Sequence, residues 1–294
     1  MRHDLEMKID RSIHILQKME HIALKYRDFG FIGAFSGGKD SQVIRQLLNM
    51  AGVKHIMKYQ WTTIDPPEVV WFIQKEYPDV IIEHPNETFW HLCLRHGLLP
   101  TQYKRFCCRE LKESKDSHCV TVTGVRAAES PKRKIRQEVE IQTRRRHPDY
   151  VRGTLDEFNM YKETHVDCIS GKDKLIINPI IDWTENDVWD FLHYMDLPSC
   201  ELYNRGYNRV GCLFCPMASR RSLHMMEHDY PKYRQAFIRL IHRIREKRLE
   251  KGGYDIYQSL TDEEVFTAWL NKQSIRKVLA DKCQTCIPCD TNFK

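Results

Sequence analysis

Three groups of residues in this sequence have the types and spacing to do chemistry. The first is Ser36-Gly37-Gly38-Lys39-Asp40-Ser41, placed between the apolar run FGFIGAF and the helical pattern SQVIRQLLNMAG. In a strand–turn–helix of this kind, backbone N–H groups and the helix N-terminus hold an anion. Gly37 and Gly38 let the chain close on phosphate oxygens, Ser36 and Ser41 add hydroxyl donors, and Lys39 adds a mobile positive charge. Gly33 lies five residues before Gly38, close to the Walker A pattern, but Asp40 stands where that loop has its magnesium-binding Ser or Thr. That substitution argues against a kinase-type loop.

The second group is Cys107-Cys108 together with Cys212 and Cys215, about a hundred residues further on. Four thiolates satisfy either zinc or a [4Fe–4S] cluster. Adjacent cysteines are awkward for a relaxed tetrahedron, so the cluster is the preferred reading and zinc the alternative. The third group is CQTCIPC, which spaces Cys283, Cys286 and Cys289 at two-residue intervals. These three could hold a second cluster or zinc with an outside fourth ligand, or relay a persulfide. Cys93, Cys119, Cys168 and Cys200 have no partner spacing, and Cys119, opening a predicted strand, reads as core.

The elements that must position these groups follow from periodicity. Residues 4–26 predict an amphipathic helix carrying Leu5, Ile9, Ile13, Leu16, Ile22 and Leu24. FGFIGAF, VKHIMKYQWTT, DVIIEHP, CVTVTGV and KLIINPII predict strands, with helices between the early ones. That alternation implies an α/β fold, a parallel sheet with helices on both faces. Residues 140–173 lack clear periodicity and predict an insertion or mobile loop on the sheet's edge. In DWTENDVWDFLHYM, Thr184 caps a helix with Asp187 as its acidic partner. From about 217 the pattern is helical, marked by Tyr233, Phe237, Leu240, Ile241 and Ile244, with a further Thr cap at Thr261. The expected division is 1–216, a nucleotide-binding α/β domain with the cysteine cluster, and 217–294, a helical region with a cysteine-rich tail.

At 294 residues, with 41% hydrophobic and 29% charged residues, the composition is that of a soluble globular protein. No apolar run approaches a bilayer span, and MRHDLEMKIDRSIH lacks a signal peptide's apolar core, so no membrane role and a cytoplasmic setting are expected. Eleven cysteines in that compartment favour metal binding or catalysis over disulfides. Residues 129–152 carry eight Lys/Arg against four acids, and 231–251 eight against two. Such stretches are either solvated helix faces or a contact surface for phosphates or nucleic acid.

SGGKDS resembles the PP-loop of ATP pyrophosphatases, which cleave ATP between the α- and β-phosphates and adenylate an acceptor. That resemblance implies ATP and Mg²⁺ as cofactors, Lys39 and Asp40 as catalytic residues, and Ser36 to Ser41 as the nucleotide cradle. CC followed by GYNRVGCLFC resembles the [4Fe–4S] signature of the adenylylsulfate reductases, and TGVRAAESPKRK and INPIIDWTENDVWDFL resemble further segments of that superfamily. From about residue 30 to 216 the chain is thus identified as a member of the phosphoadenosine-phosphosulfate reductase family, which implies an adenine-nucleotide α-hydrolase-like fold. The cluster is implied to lie beside the nucleotide site, and Arg126 to contact an anion. The family's reductases lack the loop lysine and end in a short tail with one nucleophilic cysteine. This chain keeps the loop and ends in DKCQTCIPCDTNFK. It is more similar to the DndC-like sulfurtransferase branch and the iron–sulfur tRNA thiolases. That likeness implies an ATP-dependent sulfurtransferase modifying a nucleic acid, supplied by a sulfur donor such as a cysteine desulfurase. The alternatives are a phosphoadenylylsulfate or adenylylsulfate reductase, and a nucleotide-binding protein with a structural metal cluster.

Overall fold

The computed structural model describes residues 2–113, 116–142, 152–153, 174–252 and 259–285. The chain groups into two compact units. The first comprises Met1–Trp61, Asp65–His84 and Glu113–Gly211, and the second Thr62–Ile64, Pro85–Lys112 and Cys212–Lys294.

The first unit is built on a seven-stranded sheet: β1 (Phe31–Phe35), β2 (His55–Gln60), β3 (Ile81–Glu83), β4 (Val120–Val122), β5 (Val139–Gln142), β6 (Arg152–Gly153) and β7 (Lys174–Ile177), in the order β3-β2-β1-β4-β7-β5-β6. Strands β3, β2, β1, β4 and β7 pair in parallel. Strand β5 runs antiparallel to β7, and β6 antiparallel to β5. The expected parallel sheet is present in β3, β2, β1, β4 and β7, and the antiparallel edge falls where an insertion or loop was predicted. Residues 143–151 and 154–173 lie outside the described residues.

Strand β1 is apolar along its length because both faces are covered. Helix α1 (His3–Tyr26) buries Leu5, Ile9, Leu16 and Met19, and α2 (Lys39–Ala51) buries Val43, Ile44, Leu47 and Leu48. Leu24, one of the expected apolar positions of α1, is exposed. The chain leaves β1 toward β2 and β3, then returns to place β4 on the other side of β1. This reversal between β1 and β4 is the topological switch point, where open α/β sheets bind ligands at the strands' carboxyl ends. The Ser36–Ser41 loop follows β1, and the Gly124–Arg126 segment follows β4.

The second unit is helical: α3 (Phe89–His96), α4 (Arg220–Asp229), α5 (Pro231–Glu250), α6 (Asp262–Leu270) and α7 (Ile275–Thr285). Helix α5 buries Phe237, Leu240, Ile241 and Ile244, the expected stripe, and Thr261 caps α6 by accepting from the Glu264 N–H. The core here is aromatic. The Phe237 ring lies 5.6 Å from Phe89, 5.3 Å from Phe214 and 5.3 Å from Trp269, centroid to centroid. Offset and edge-on rings at such distances add about 1 kcal/mol per pair beyond the area they bury.

Candidate nucleotide loop and cysteine pocket

The loop in the first unit is shaped by what cannot fit around it. A Cβ on Gly33 would meet Met57 Sδ at 2.2 Å, so the Met57 side chain lies over β1 in the space glycine leaves. Gly37 has φ +70, in the left-handed region that glycine enters without strain, and a Cβ would lie 3.0 Å from Val69. The turn is then tied by hydroxyls: Ser41 Oγ donates to the Gly38 carbonyl at 2.7 Å and accepts from the Ser36 N–H at 3.2 Å. Helix α2 begins at Lys39, whose N–H donates to the Tyr203 hydroxyl at 2.9 Å. The Ser41 and Gln42 N–H groups donate to the Gly38 carbonyl at 3.1 and 3.2 Å, and the positive end of the helix dipole still favours an anion there.

Lys39 is only 3% exposed. Its Nζ reaches the Asn208 carbonyl at 3.2 Å and Glu185 Oε1 at 3.2 Å, and lies 5.4 Å from the centroid of the Tyr203 ring. A buried cation needs compensation, and here a carboxylate, a carbonyl and an aromatic face provide it. Arg126, 2% exposed, places Nε 2.7 Å from Asp40 Oδ1 and Nη2 2.6 Å from Glu185 Oε2. Burial works against its charge, but Asp40 and Glu185 outweigh burial and raise its pKa. Burial likewise pushes Glu185 up, yet Lys39 and Arg126 hold its carboxyl below the usual range. Arg126 was expected to contact an anion; as placed, it braces the two carboxylates beside the loop. Arg133, ion-paired with Glu129, is lowered to about 10 by burial and by the neighbouring charge of Arg209.

The loop residues are thus together, and Glu185, Tyr203 and Asn208 join them. Sequence reasoning missed these three. Glu185 was visible only as a residue inside the Thr184–Asp187 capping box, and nothing in ELYNRGYN marks Tyr203.

Both cysteine pairs lie in the second unit, where Cys107, Cys108, Cys212 and Cys215 line one pocket open to solvent. Cys107 and Cys108 sit on a short helical turn (Phe106–Cys108) that widens into a π-type turn at Arg109–Glu113. Phe106 fixes this turn by stacking on His96 at 4.1 Å. The second pair is set by a tight loop in which Leu213 donates its N–H to the Ile64 carbonyl at 2.8 Å and Phe214 takes φ +51. A left-handed phenylalanine costs about 1–2 kcal/mol, which burying its ring offsets. Hydrogen bonding to Cys108, burial, and the nearby Cys212 and Cys215 push the Cys107 thiol well above its ordinary pKa. The donor set and the shared cavity suit a four-thiolate cluster. As the side chains stand, no three His, Cys, Asp or Glu among the described residues close into a metal-holding group.

Cys93, Cys119 and Cys200 are buried free thiols, as expected of Cys119. Cys283 falls on α7, while Cys168, Cys286 and Cys289 lie outside the described residues, as do Arg144, Arg145 and Arg146. Of the basic residues on α5, Arg245 is tied to Asp262 and the Leu260 carbonyl, and Arg248 to the Gly97 carbonyl. No helix among the described residues is long and apolar enough to cross a membrane.

A strand–loop–helix cradle at the switch point of a mostly parallel sheet defines a nucleotide-binding α/β protein. The chain belongs to the phosphoadenosine phosphosulfate reductase domain family, whose model matches residues 31–218. An uncharacterized protein of Methanocaldococcus jannaschii is 25% identical over 288 residues, 92% of this chain and 60% of that protein. This chain therefore spans under two thirds of that relative's length. The adenosine 5'-phosphosulfate reductase of Geobacillus kaustophilus is 24% identical over 212 residues, 67% of this chain and 78% of the relative. Among solved structures, the phosphoadenylyl-sulfate reductase of Candida auris aligns with TM-score 0.44 and 16% identity, covering 70% of this chain and 95% of that one. The U34-tRNA thiolase NcsA of Methanococcus maripaludis, solved with its [4Fe–4S] cluster, aligns at 0.40 and 13%, covering 87% and 83%. At those scores the structural likenesses carry no functional statement.

Proposed function

We propose that this chain is an ATP-dependent, AMP- and pyrophosphate-forming sulfurtransferase whose acceptor is a nucleic acid. The observation that supports this most is Lys39, a lysine buried in a complete Ser36–Ser41 loop at a strand–helix turn. A lysine held at this helix N-terminus by Glu185, the Asn208 carbonyl and the Tyr203 ring is positioned to offset the charge of a departing pyrophosphate. In this reading ATP lays its β- and γ-phosphates on the loop, and Lys39 exchanges Glu185 for phosphate oxygens. Mg²⁺ carried in with ATP offsets the same charge. An acceptor oxygen attacks the α-phosphorus and pyrophosphate leaves. A persulfide from a donor such as a cysteine desulfurase then attacks the adenylated carbon, and AMP leaves with the oxygen. A second thiol resolves the resulting disulfide and releases the thiolated product. Cys107, Cys108, Cys212 and Cys215 would hold a [4Fe–4S] cluster, which when bound supplies an iron centre for handling sulfur. Cys283, Cys286 and Cys289 remain candidates for a sulfur relay.

Lys39→Ala tests the loop directly. Losing one such donor costs about 3 kcal/mol of transition-state stabilisation, so pyrophosphate release should fall roughly a hundredfold in a protein that still folds. Wild-type release in the purified variant contradicts a catalytic loop. A reductase reading is favoured by the relatives named adenosine 5'-phosphosulfate reductase. It predicts sulfite formation from adenylylsulfate with a thiol donor, an assay in which the sulfurtransferase should be silent.

A further inference from the structure

The two cysteine-bearing segments of the second unit are flanked in sequence by exposed aromatic and basic residues. The segment from Thr101 to Arg105 is a turn closed on itself, with the Thr101 N–H donating to the Lys104 carbonyl at 3.2 Å and the Lys104 N–H to Thr101 Oγ1 at 3.0 Å. At its tip Tyr103 is 96% exposed, its ring free to meet a ligand face. The same turn is tied to the other cysteine segment by Gln102 Nε2, which donates to the Pro216 carbonyl at 3.2 Å. Pro216 directly follows Cys215.

Along the two cysteine-bearing segments, 103–110 and 211–222, the exposed charged residues are all basic. Lys104, Arg105 and Arg109 are exposed beside Cys107 and Cys108, and Arg220 and Arg221 are exposed a few residues beyond Cys215. Among the described residues Lys104, Arg105, Arg220 and Arg221 make no ion pair. The nearby acid, Glu110, is already satisfied by Arg95 at 2.5 Å and His96 at 2.7 Å, and lies 3.5 Å from Arg109. Arg220 and Arg221 also occupy the first turn of α4, where the helix dipole favours acids. Their placement is a cost to the helix rather than a support.

An exposed aromatic ring among unpaired Lys and Arg is the chemistry that binds single-stranded nucleic acid. Bases stack on the ring, and the cations track the phosphates. We infer that the rim formed by Tyr103, Lys104, Arg105, Arg109, Arg220 and Arg221 docks a single-stranded stretch of polynucleotide, with a base stacked on Tyr103 and the strand held at the mouth of the cysteine cavity. This rests on the nucleic-acid reading above and deepens it: the acceptor is presented unpaired, on the cysteine-bearing unit. A basic patch alone would equally fit duplex or an acidic protein. The bare aromatic tip is what favours an unstacked base.

The test is direct binding, without ATP, of the full chain to a fluorescent 20-nucleotide single strand and to the same sequence as a duplex. Wild type should prefer the single strand, with affinity that falls steeply from 50 to 200 mM salt. Tyr103→Ala should weaken single-strand binding about tenfold, and Tyr103→Phe should keep it, since the ring and not the hydroxyl stacks. Arg105→Glu with Arg221→Glu should weaken it further and flatten the salt slope. Because Tyr103 has no packing role, its variants should fold as wild type. Equal affinity of wild type and Tyr103→Ala overturns the inference, as does equal loss on duplex, or binding only to an acidic polypeptide control. These readouts do not involve ATP. If Lys39→Ala proves fully active the proposed reaction falls while the docking rim stands, and an inert rim with intact ATP chemistry gives the converse.

Discussion

Asp40, Arg126 and Glu185 form the ion-pair chain on which the loop's geometry depends. Asp40 lies one residue after Lys39, Arg126 bridges it to Glu185, and Glu185 returns to Lys39 Nζ. Removing Arg126 leaves Asp40, 21% exposed, and Glu185 to share Lys39 as their remaining cation, at 3.9 and 3.2 Å. Breaking a fully buried pair costs about 3–5 kcal/mol, and solvent around Glu185, 52% exposed, reduces that. Arg126→Ala should therefore lose roughly 2–3 kcal/mol in urea unfolding. Arg126→Lys should recover only part, because one ammonium cannot serve two carboxylates as a guanidinium fork does. A variant as stable as wild type would show that the chain of charges is incidental. At this scale the sequence was legible where residues are contiguous. Ser36 to Ser41 act as a local turn, so their chemistry shows in their order. Glu185, Tyr203 and Asn208 arrive from more than a hundred residues away, and only the sheet order brings them to Lys39.

Among the elements, the Glu185–Tyr194 helix carries Glu185 to the loop, and its start is over-determined. Thr184 Oγ1 accepts from the Asp187 N–H, and Asp187 Oδ2 accepts from the Thr184 N–H at 2.8 Å. Asp187, with its side chain 2% exposed, also receives Arg2 at 2.7 Å and Lys8 at 2.8 Å from helix α1. Burial raises its pKa, but the Lys8 and Thr184 bonds outweigh burial and hold it below the ordinary aspartate value. A depressed folded-state pKa contributes stability that is present above the unfolded value, about 3.9, and is lost as pH falls through the folded one. Asp187→Asn should thus lower stability at pH 7 by about 1–2 kcal/mol and flatten its decline between pH 5 and 2, read from urea midpoints across that range. An unchanged acid profile would refute the assignment. The cap was legible because a capping box is local, and the parallel strands were legible because burial on both faces makes them continuously apolar. The edge was not. Strand β5 sits in a run of charges, and its buried Glu140 is met by Arg136 at 2.5 Å and the Gln137 N–H at 2.8 Å, with Glu138 just before the strand held by Arg11 at 2.8 Å. Helix α3 does not show in the sequence either, although Thr88 caps it, because eight residues are too few to display a distinct period.

At the level of the whole molecule, one unit carries the nucleotide loop and the other the four cysteines. Anaerobically purified protein should be brown with about four irons per chain if the cavity alone is loaded. Cys108→Ser or Cys212→Ser should lose the iron and lower thermal stability, since the cluster would link segments a hundred residues apart; a colourless, zinc-loaded preparation would instead favour a structural four-cysteine site. The pairing of loop and cavity was legible as two motifs in one chain. Their placement was not, because residues 85–112 fold with the C-terminal helices rather than with the sheet they interrupt in sequence. The most direct measurement is the position at which ATP is cleaved. ATP labelled at the α-phosphate, incubated anaerobically with the protein, single-stranded polynucleotide and a persulfide donor, should yield labelled AMP with equimolar pyrophosphate, dependent on Lys39. Labelled ADP, or intact ATP alongside sulfite formed from adenylylsulfate, would contradict the account.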